Sequence, residues 1–328
     1  MHRVSVDRRG FIGAASALAG AAFLPHAFAQ PAWPAKPVHF VLGYPPGGGS
    51  DVMGRVVAIP AAKTLGQSIV VDNKPGASGN IATAEVARAA PDGYTFLVGP
   101  STNMSANPFL YKLTFNVATD LVPVCALGRF QLHLVTRADH PAKNVKQLIE
   151  YGRAHPGKLT YASSGAGTPP HLVSEYFLRQ AGITGVQVPY RGAAPALQAV
   201  LAGETDFVID PGIAFPHVKA GKLQMLGVAS AKRSVVFPDV PTLIESGIPG
   251  MEFDAWIGVW APAGTPAEAT ARLGAAAAQA LATPAVKEKF AGLSGEAIHL
   301  DAPAFRKVID RESAIFGALI KDLNLKLD

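Results

Sequence analysis

The stretch GYPPGGGSDVMGRVVA, Gly43–Ala58, follows the apolar run VHFVL and opens into a helical pattern that reaches about Leu65. A tight strand-to-helix turn needs one glycine, yet this one places Gly47, Gly48 and Gly49 in a row behind two prolines. Such a run strips the loop of side chains where the first N–H groups of a helix are unpaired. Backbone N–H groups and the positive end of a helix suit an anion. Ser50 is the expected N-cap.

Outward from that turn the chain alternates strand and helix. Val38–Tyr44, Ser68–Asn73, YTFLVG, LTYASS, VQVPY, TDFVID and KLQMLGVAS read as strands. Helical patterns run Asn80–Ala90, Val145–His155, His171–Gly182 and up to Gly203. Asn144 with Gln147, and Thr265 with Glu268, have capping-box spacing. After Glu268, helices are expected to run to the end. The alternation implies βαβ units and a mainly parallel sheet. A chain of 328 residues exceeds one ordinary core, so two domains are expected. No Gly/Ser or Pro-rich linker separates them. The extended pieces FQLHLVT and FDAWIGVW are therefore the expected crossovers.

The first residues read as an export signal. Arg3, Arg8 and Arg9 precede an Ala/Gly-rich apolar run, and Ala27–Ala29 is a small-x-small cleavage site. Arg8-Arg9 before GFI resembles a twin-arginine leader; a general secretory signal and an uncleaved anchor are the alternatives. Removing three Arg and one Asp with the leader lowers the formal charge from +5 to +3, too small and dispersed for nucleic-acid binding. The mature protein is expected in the periplasm. Cys125, the only cysteine, excludes an intrachain disulfide and sits in apolar LVPVCALG, as a buried residue would.

Catalytic and cofactor motifs fail one by one. The glycine loop lacks the Lys-Ser/Thr of a P-loop, and GAGTPP carries Pro170 where a dinucleotide fingerprint has its third glycine. No serine elbow, metal-ligand spacing or zincin motif occurs, so no cofactor and no metal are expected. Ser163 or Ser164 as a hydrolase nucleophile would need a base that nothing in the sequence positions; both read better as hydroxyl donors. His171 reads as a supporting hydrogen-bonder.

What remains is a set of similar loops after strands: Pro45–Asp51, Ser163–Pro170, Pro189–Ala196 and the polar Pro100–Pro108. In open α/β sheets ligands bind beyond the carboxyl ends of strands. Candidate ligand-binding residues are Tyr44, Gly47, Gly48, Gly49, Ser50, Ser101, Thr102, Ser163, Ser164, Gly165, Gly167, Thr168, Tyr190, Arg191, Gly192 and Asp210. Arg191 either faces an anion or solvent. Asp51 reads as a partner for local N–H groups. Asp210 either holds its neighbouring loop or touches the ligand.

The segments YPPGGGSD, VVDNKPGASGNIAT, APDGYTFLVG, GKLTYASSGAGTPPHL, VPYRGAAPALQAVLAGETDFVID and FPHVKAGKLQMLGVASAKRSVVFPDVPTLIESGIPG resemble, in order, the Bug-type solute receptors of tripartite tricarboxylate transporters. The resemblance implies a type II-like periplasmic-binding-protein fold, with two α/β domains and a ligand cleft between them. Residues 1–29 would be the leader, 30–129 with 253–328 the first domain, and 130–252 the second. It implies non-catalytic capture of a small carboxylate through backbone N–H groups and waters of Gly47–Ser50 and Ser163–Thr168, with Tyr190–Gly192 adjacent. The expected partners are permease subunits or a sensor kinase, and the expected state is a monomer. Two departures stand out: Arg191 replaces the family's Lys in PYKG, and DPG follows Ile209 in place of an Asn- or Ser-containing stretch.

Overall fold

The computed structural model describes residues 33–327. The proposed leader, residues 1–29, lies outside them. Two sheets form. In the first, β1 (Val38–Leu42), β2 (Ile69–Asn73), β3 (Thr95–Pro100), β4 (Leu121–Gln131) and β10 (Asp254–Pro262) join the two-residue strands β11 (Gly295–Glu296) and β12 (Leu300–Asp301). Their order is β11-β4-β10-β3-β1-β2, with β12 also on β4. The second sheet holds β5 (His133–Arg137), β6 (Thr160–Ser163), β7 (Val186–Pro189), β8 (Phe207–Asp210) and β9 (Leu223–Val228) in the order β7-β6-β8-β5-β9.

Neither sheet is mainly parallel, against the expectation from alternation. β1 pairs β2 and β3 in parallel, and β6 pairs β7 and β8 in parallel. The strands that carry the chain between the sheets run the other way. β10 is antiparallel to β3 and β4, and β5 is antiparallel to β8 and β9. Only the strands built by βαβ crossovers are forced parallel; those entering from the opposite sheet are not.

The crossings fall in the two extended segments. LVPVCALG continues into FQ as the single strand β4, and Leu132 alone separates it from β5. The return comes between Val228 and Asp254. The two passages are tied: Ala229 N–H donates to the Leu132 carbonyl at 2.7 Å, and Phe253 N–H donates to the Ala229 carbonyl at 2.9 Å.

Apolar strand faces and the inner stripes of the helices form the cores. Under the first sheet Phe40, Met53, Val57 and Phe290 are fully buried, with Cys125, whose thiol burial pushes up to about 12. Under the second, Leu134, Tyr161, Phe177 and Phe207 are fully buried. That second core also takes Ala106 and Leu110 from the loop after β3, and Phe316 and Ile320 from the long C-terminal helix Ala302–Asp322. The tail seals this junction, for Leu327 N–H donates to the Leu110 carbonyl at 2.7 Å.

Helix ends differ from expectation in three places. The first helix, Gly49–Leu65, begins before Ser50, with Gly48 as N-cap and no side-chain cap. Thr265 Oγ1 donates to the Pro262 carbonyl, so helix Ala267–Ala282 starts after Pro266 without a capping box. Asn144 does cap Val145–Ala154, accepting from Gln147 N–H at 2.9 Å, but the Gln147 amide accepts from Lys143 N–H. The last stretch is also not all helix, since β11 and β12 interrupt it.

Candidate functional site

Three helices start at the carboxyl ends of parallel strands and point toward one cleft: Gly49–Leu65, Pro169–Ala181 and Ala193–Ala202. None has a side-chain cap. Elsewhere side chains cap three helices, Asn116 on Val117–Asp120, Asn144 on Val145–Ala154 and Asp301 on Ala302–Asp322, while Ala267–Ala282 and Pro284–Gly292 are also uncapped. The cleft has a volume of about 330 Å³. Gly47, Gly49 and Ser50 form one wall; Ser164, Pro169, Pro170, Ala193, Pro211 and Ile213 form the other; Phe130, Leu132, Ala255, Ile257 and Leu293 complete it.

The three glycines have three different causes. Gly47 has φ +83°, a left-handed backbone that side chains resist. A Cβ on Gly49 would lie 2.9 Å from Cζ of Phe130. Gly48 has an ordinary φ of −72°, and a Cβ there meets only the Pro45 carbonyl oxygen, at 3.4 Å. Nothing within the protein requires glycine at position 48.

Asp51 is committed to its own loop. Its buried carboxylate accepts from Gly47 N–H at 2.9 Å, Asn73 Nδ2 at 2.8 Å and Arg55 Nε at 2.9 Å. Burial opposes its ionisation, but these donors hold the carboxyl below its usual range. On the opposite wall Asp210 is also buried, and it accepts from Gly212 N–H at 2.6 Å and Ala214 N–H at 3.0 Å. Burial pushes this carboxyl up to about 6. Asp210 thus holds the loop that presents Pro211 and Ile213 to the cleft.

The second wall divides similarly. Ser163 is fully buried, and its Oγ accepts from Gln187 Nε2 at 2.8 Å. Ser164 reaches the cleft and donates to Thr168 Oγ1 at 3.1 Å, which donates in turn to the Gly165 carbonyl at 2.7 Å. Gly165 (φ +129°) and Gly192 (φ +118°) supply backbone turns. Gly167 (φ +75°) lies against Leu110 and Leu327. His171 Nδ1 accepts from Gly167 N–H at 2.9 Å, and burial lowers its pKa to about 4. The ring supports the loop.

Five other candidates lie off the cleft walls. Tyr44 Oη donates to the Ser78 carbonyl or Asn103 Oδ1, and burial raises its pKa. Tyr190 Oη donates to Glu204 at 3.1 Å. Ser101 and Thr102 are buried beneath the C-terminal helix. Beside Ser101, Ser105 Oγ donates to Glu312 Oε2 at 2.9 Å. Arg191 is exposed beside Gly192, outside the lining. The lining residues not anticipated as such are mostly apolar. Phe130, Leu132, Ala255 and Ile257 nevertheless fall in the two crossover segments, and whatever joins two sheets must pass beneath the groove between them.

Two mixed sheets joined by paired crossings around one cleft define a two-domain binding-protein architecture of the periplasmic type. Residues 53–325 match the family model described as tripartite tricarboxylate transporter family receptor. The chain belongs to this family of TctC and Bug-type solute receptors, and it is a transporter receptor rather than an enzyme. It is 33% identical over 302 residues to the protein BugT of Bordetella pertussis, covering 90% of this chain and 91% of BugT. An adipate-bound R. palustris structure shares 32% identity with a TM-score of 0.78, covering 90% of this chain and all of that one. MatC of Rhodopseudomonas palustris, with bound malate, shares 31% identity with a TM-score of 0.75, covering 88% of this chain and all of that one. Among the described residues no helix is long and apolar enough to cross a membrane.

Proposed function

We propose that this receptor captures a small organic carboxylate in the periplasm and presents it, as a monomer, to the permease subunits of a tripartite transporter. One observation carries the reading: three uncapped helix starts converge on a single cleft between the sheets, and two of them, at Gly49 and Ala193, have N–H groups to give. The ligand carboxylate takes the N–H groups of Gly49 and Ser50 on one wall, Gly48 N–H being held by the Pro45 carbonyl, and on the other the Ala193 helix start and the Ser164 hydroxyl, whose proton turns to it from Thr168 Oγ1. Charge-assisted bonds of this kind need no arginine. The relatives bound to adipate and malate support a carboxylate as ligand.

The test is a thermal-shift screen of small carboxylates against their amides. A ligand at about 100 times its Kd adds roughly 2.7 kcal/mol, which moves the melting temperature by several degrees in a chain of this size. The acid is expected to stabilise and the amide to do so less, with the acid recovered unchanged. Equal stabilisation by acid and amide would overturn the reading.

A further inference from the structure

We propose that the cleft selects an organic acid with a single carboxylate on an apolar body, and discriminates against dicarboxylates. The inference rests on the carboxylate reading above and names the class of acid. Beyond the glycine loop and Ser164, the cleft is walled by Phe130, Leu132, Ile257, Leu293, Pro211 and Ile213. No charged side chain is among the lining residues.

The donors suffice for one carboxylate. Gly49 and Ser50 offer the N–H groups of one helix start, since Gly48 N–H goes to the Pro45 carbonyl, and Ser164 offers a hydroxyl whose proton must first leave Thr168. The helix Pro169–Ala181 begins with two prolines, so its first two positions have no N–H to give. Its place on the wall is filled by hydrocarbon. Ala193 then supplies the remaining N–H groups, with Pro195 removing another two residues on.

Charge behind the walls points the same way. Asp51 is next to Ser50, and Asp210 is next to Pro211. Both carboxylates are turned inward, Asp51 onto Gly47 N–H, Asn73 and Arg55, which pairs its charge, and Asp210 onto the N–H groups of Gly212 and Ala214. The one basic residue in these loops, Arg191, is exposed and outside the lining. A second ligand carboxylate would lose its water against these apolar side chains and find neither a cation nor a spare N–H or hydroxyl to replace it, which is costly. An alkyl chain or ring there is stabilised by leaving water.

Two matched pairs test this by calorimetry on the purified protein: hexanoate against adipate, and benzoate against terephthalate. Each pair shares a carbon skeleton or ring and differs by one carboxylate. The monoacid is expected to bind about tenfold tighter or better in at least one pair. In the Ile213→Lys variant, the diacid is expected to gain about tenfold relative to its monoacid. Ile213 is 39% exposed, so the fold tolerates the charge. Diacids binding as tightly as their monoacids in both pairs would overturn the proposal and leave carboxylate capture standing. So would an unchanged ratio in Ile213→Lys, or stabilisation by other carboxylates while none of these four binds. If no carboxylate binds at all, both readings fall.

Discussion

Phe130 occupies the space that a side chain on Gly49 would need. The missing Cβ of Gly49 would sit 2.9 Å from the Phe130 ring, and that of Gly295 would sit 3.2 Å from the same ring. Two glycines from distant parts of the chain thus clamp one aromatic ring at the edge of the cleft. The glycine run that looked from sequence like one anion loop is therefore a composite. Gly47 serves the backbone, Gly49 serves Phe130, and Gly48, whose N–H is held by the Pro45 carbonyl, sits between two lining residues without a side-chain constraint of its own.

That division makes the three positions separable by mutation. Gly48→Val is expected to fold normally and to lose the ligand-induced melting shift, because its Cβ meets only the Pro45 carbonyl oxygen within the protein and places bulk between the lining residues Gly47 and Gly49. Gly49→Ala is expected to destabilise the free protein by about 1–3 kcal/mol by crowding Phe130. Gly47→Ala should cost about 1–2 kcal/mol through its left-handed φ. Thermal melts with and without ligand read all three. Unchanged affinity in Gly48→Val would place the carboxylate site elsewhere.

Glu312 gives a pH signature. It is buried on the C-terminal helix against Ser101 and Ser105, near Asp254 and Arg311, and burial pushes its carboxyl up to about 7. The folded state therefore holds this proton more tightly than the unfolded chain. The associated stability is fully present below the ordinary glutamate range and is lost as pH rises through about 7. Between about pH 5 and 8 the wild type should lose several degrees of melting temperature relative to Glu312→Gln. Asp210 titrates with the same sign, so the difference between the two proteins is the diagnostic quantity. Parallel pH profiles would mean that Glu312 is ionised throughout.

The crossing segments near Phe130–Val135 and Phe253–Val259 are expected to bend when ligand bridges the sheets. Small-angle scattering should show a smaller radius of gyration once a stabilising ligand is present. The Arg129–Asp254 ion pair, 2.5 Å at the β4–β10 end, should hold the two crossing strands together through that motion. An identical radius in both states would indicate a rigid cleft.

The tail beyond the long helix offers a fourth measurement. Leu327 contacts Leu110 through a backbone bond and packs beneath Gly167. Truncation after Asn324 removes Leu325 and Leu327 from the second core's edge and is expected to cost about 2–4 kcal/mol, read by urea denaturation. It should also weaken ligand binding by loosening the Ser163–Pro170 loop. A truncated chain as stable as the full one would show that the tail merely rests on the surface.

Much of this was legible before any coordinates. Alternating strands and helices placed the loops after β1, β6 and β7 at one end of the sheets, because that end is fixed by strand direction alone. Asp51 was readable as a local partner from its position in the first turn. Ser101 and Thr102 were not, because what covers them arrives late: Glu312 lies 207 residues beyond Ser105. Ile213, Leu293 and Ile257 were equally opaque. An isoleucine lining a cleft has the same neighbours in sequence as one lining a core. The antiparallel course of β10 escaped as well, since periodicity records how residues face and not which way a returning strand runs.

Phe130, Leu132, Ala255 and Ile257 belong at once to the lining and to the strands that cross between the sheets. A molecule resting on them sits at the fulcrum, where small thicknesses become large displacements at the rim. A flat ring and a bulkier body would hold the two lobes at different angles, even if both engaged the same N–H groups. A permease that met only the rim would then gauge the cargo by the gap between the lobes without ever meeting it.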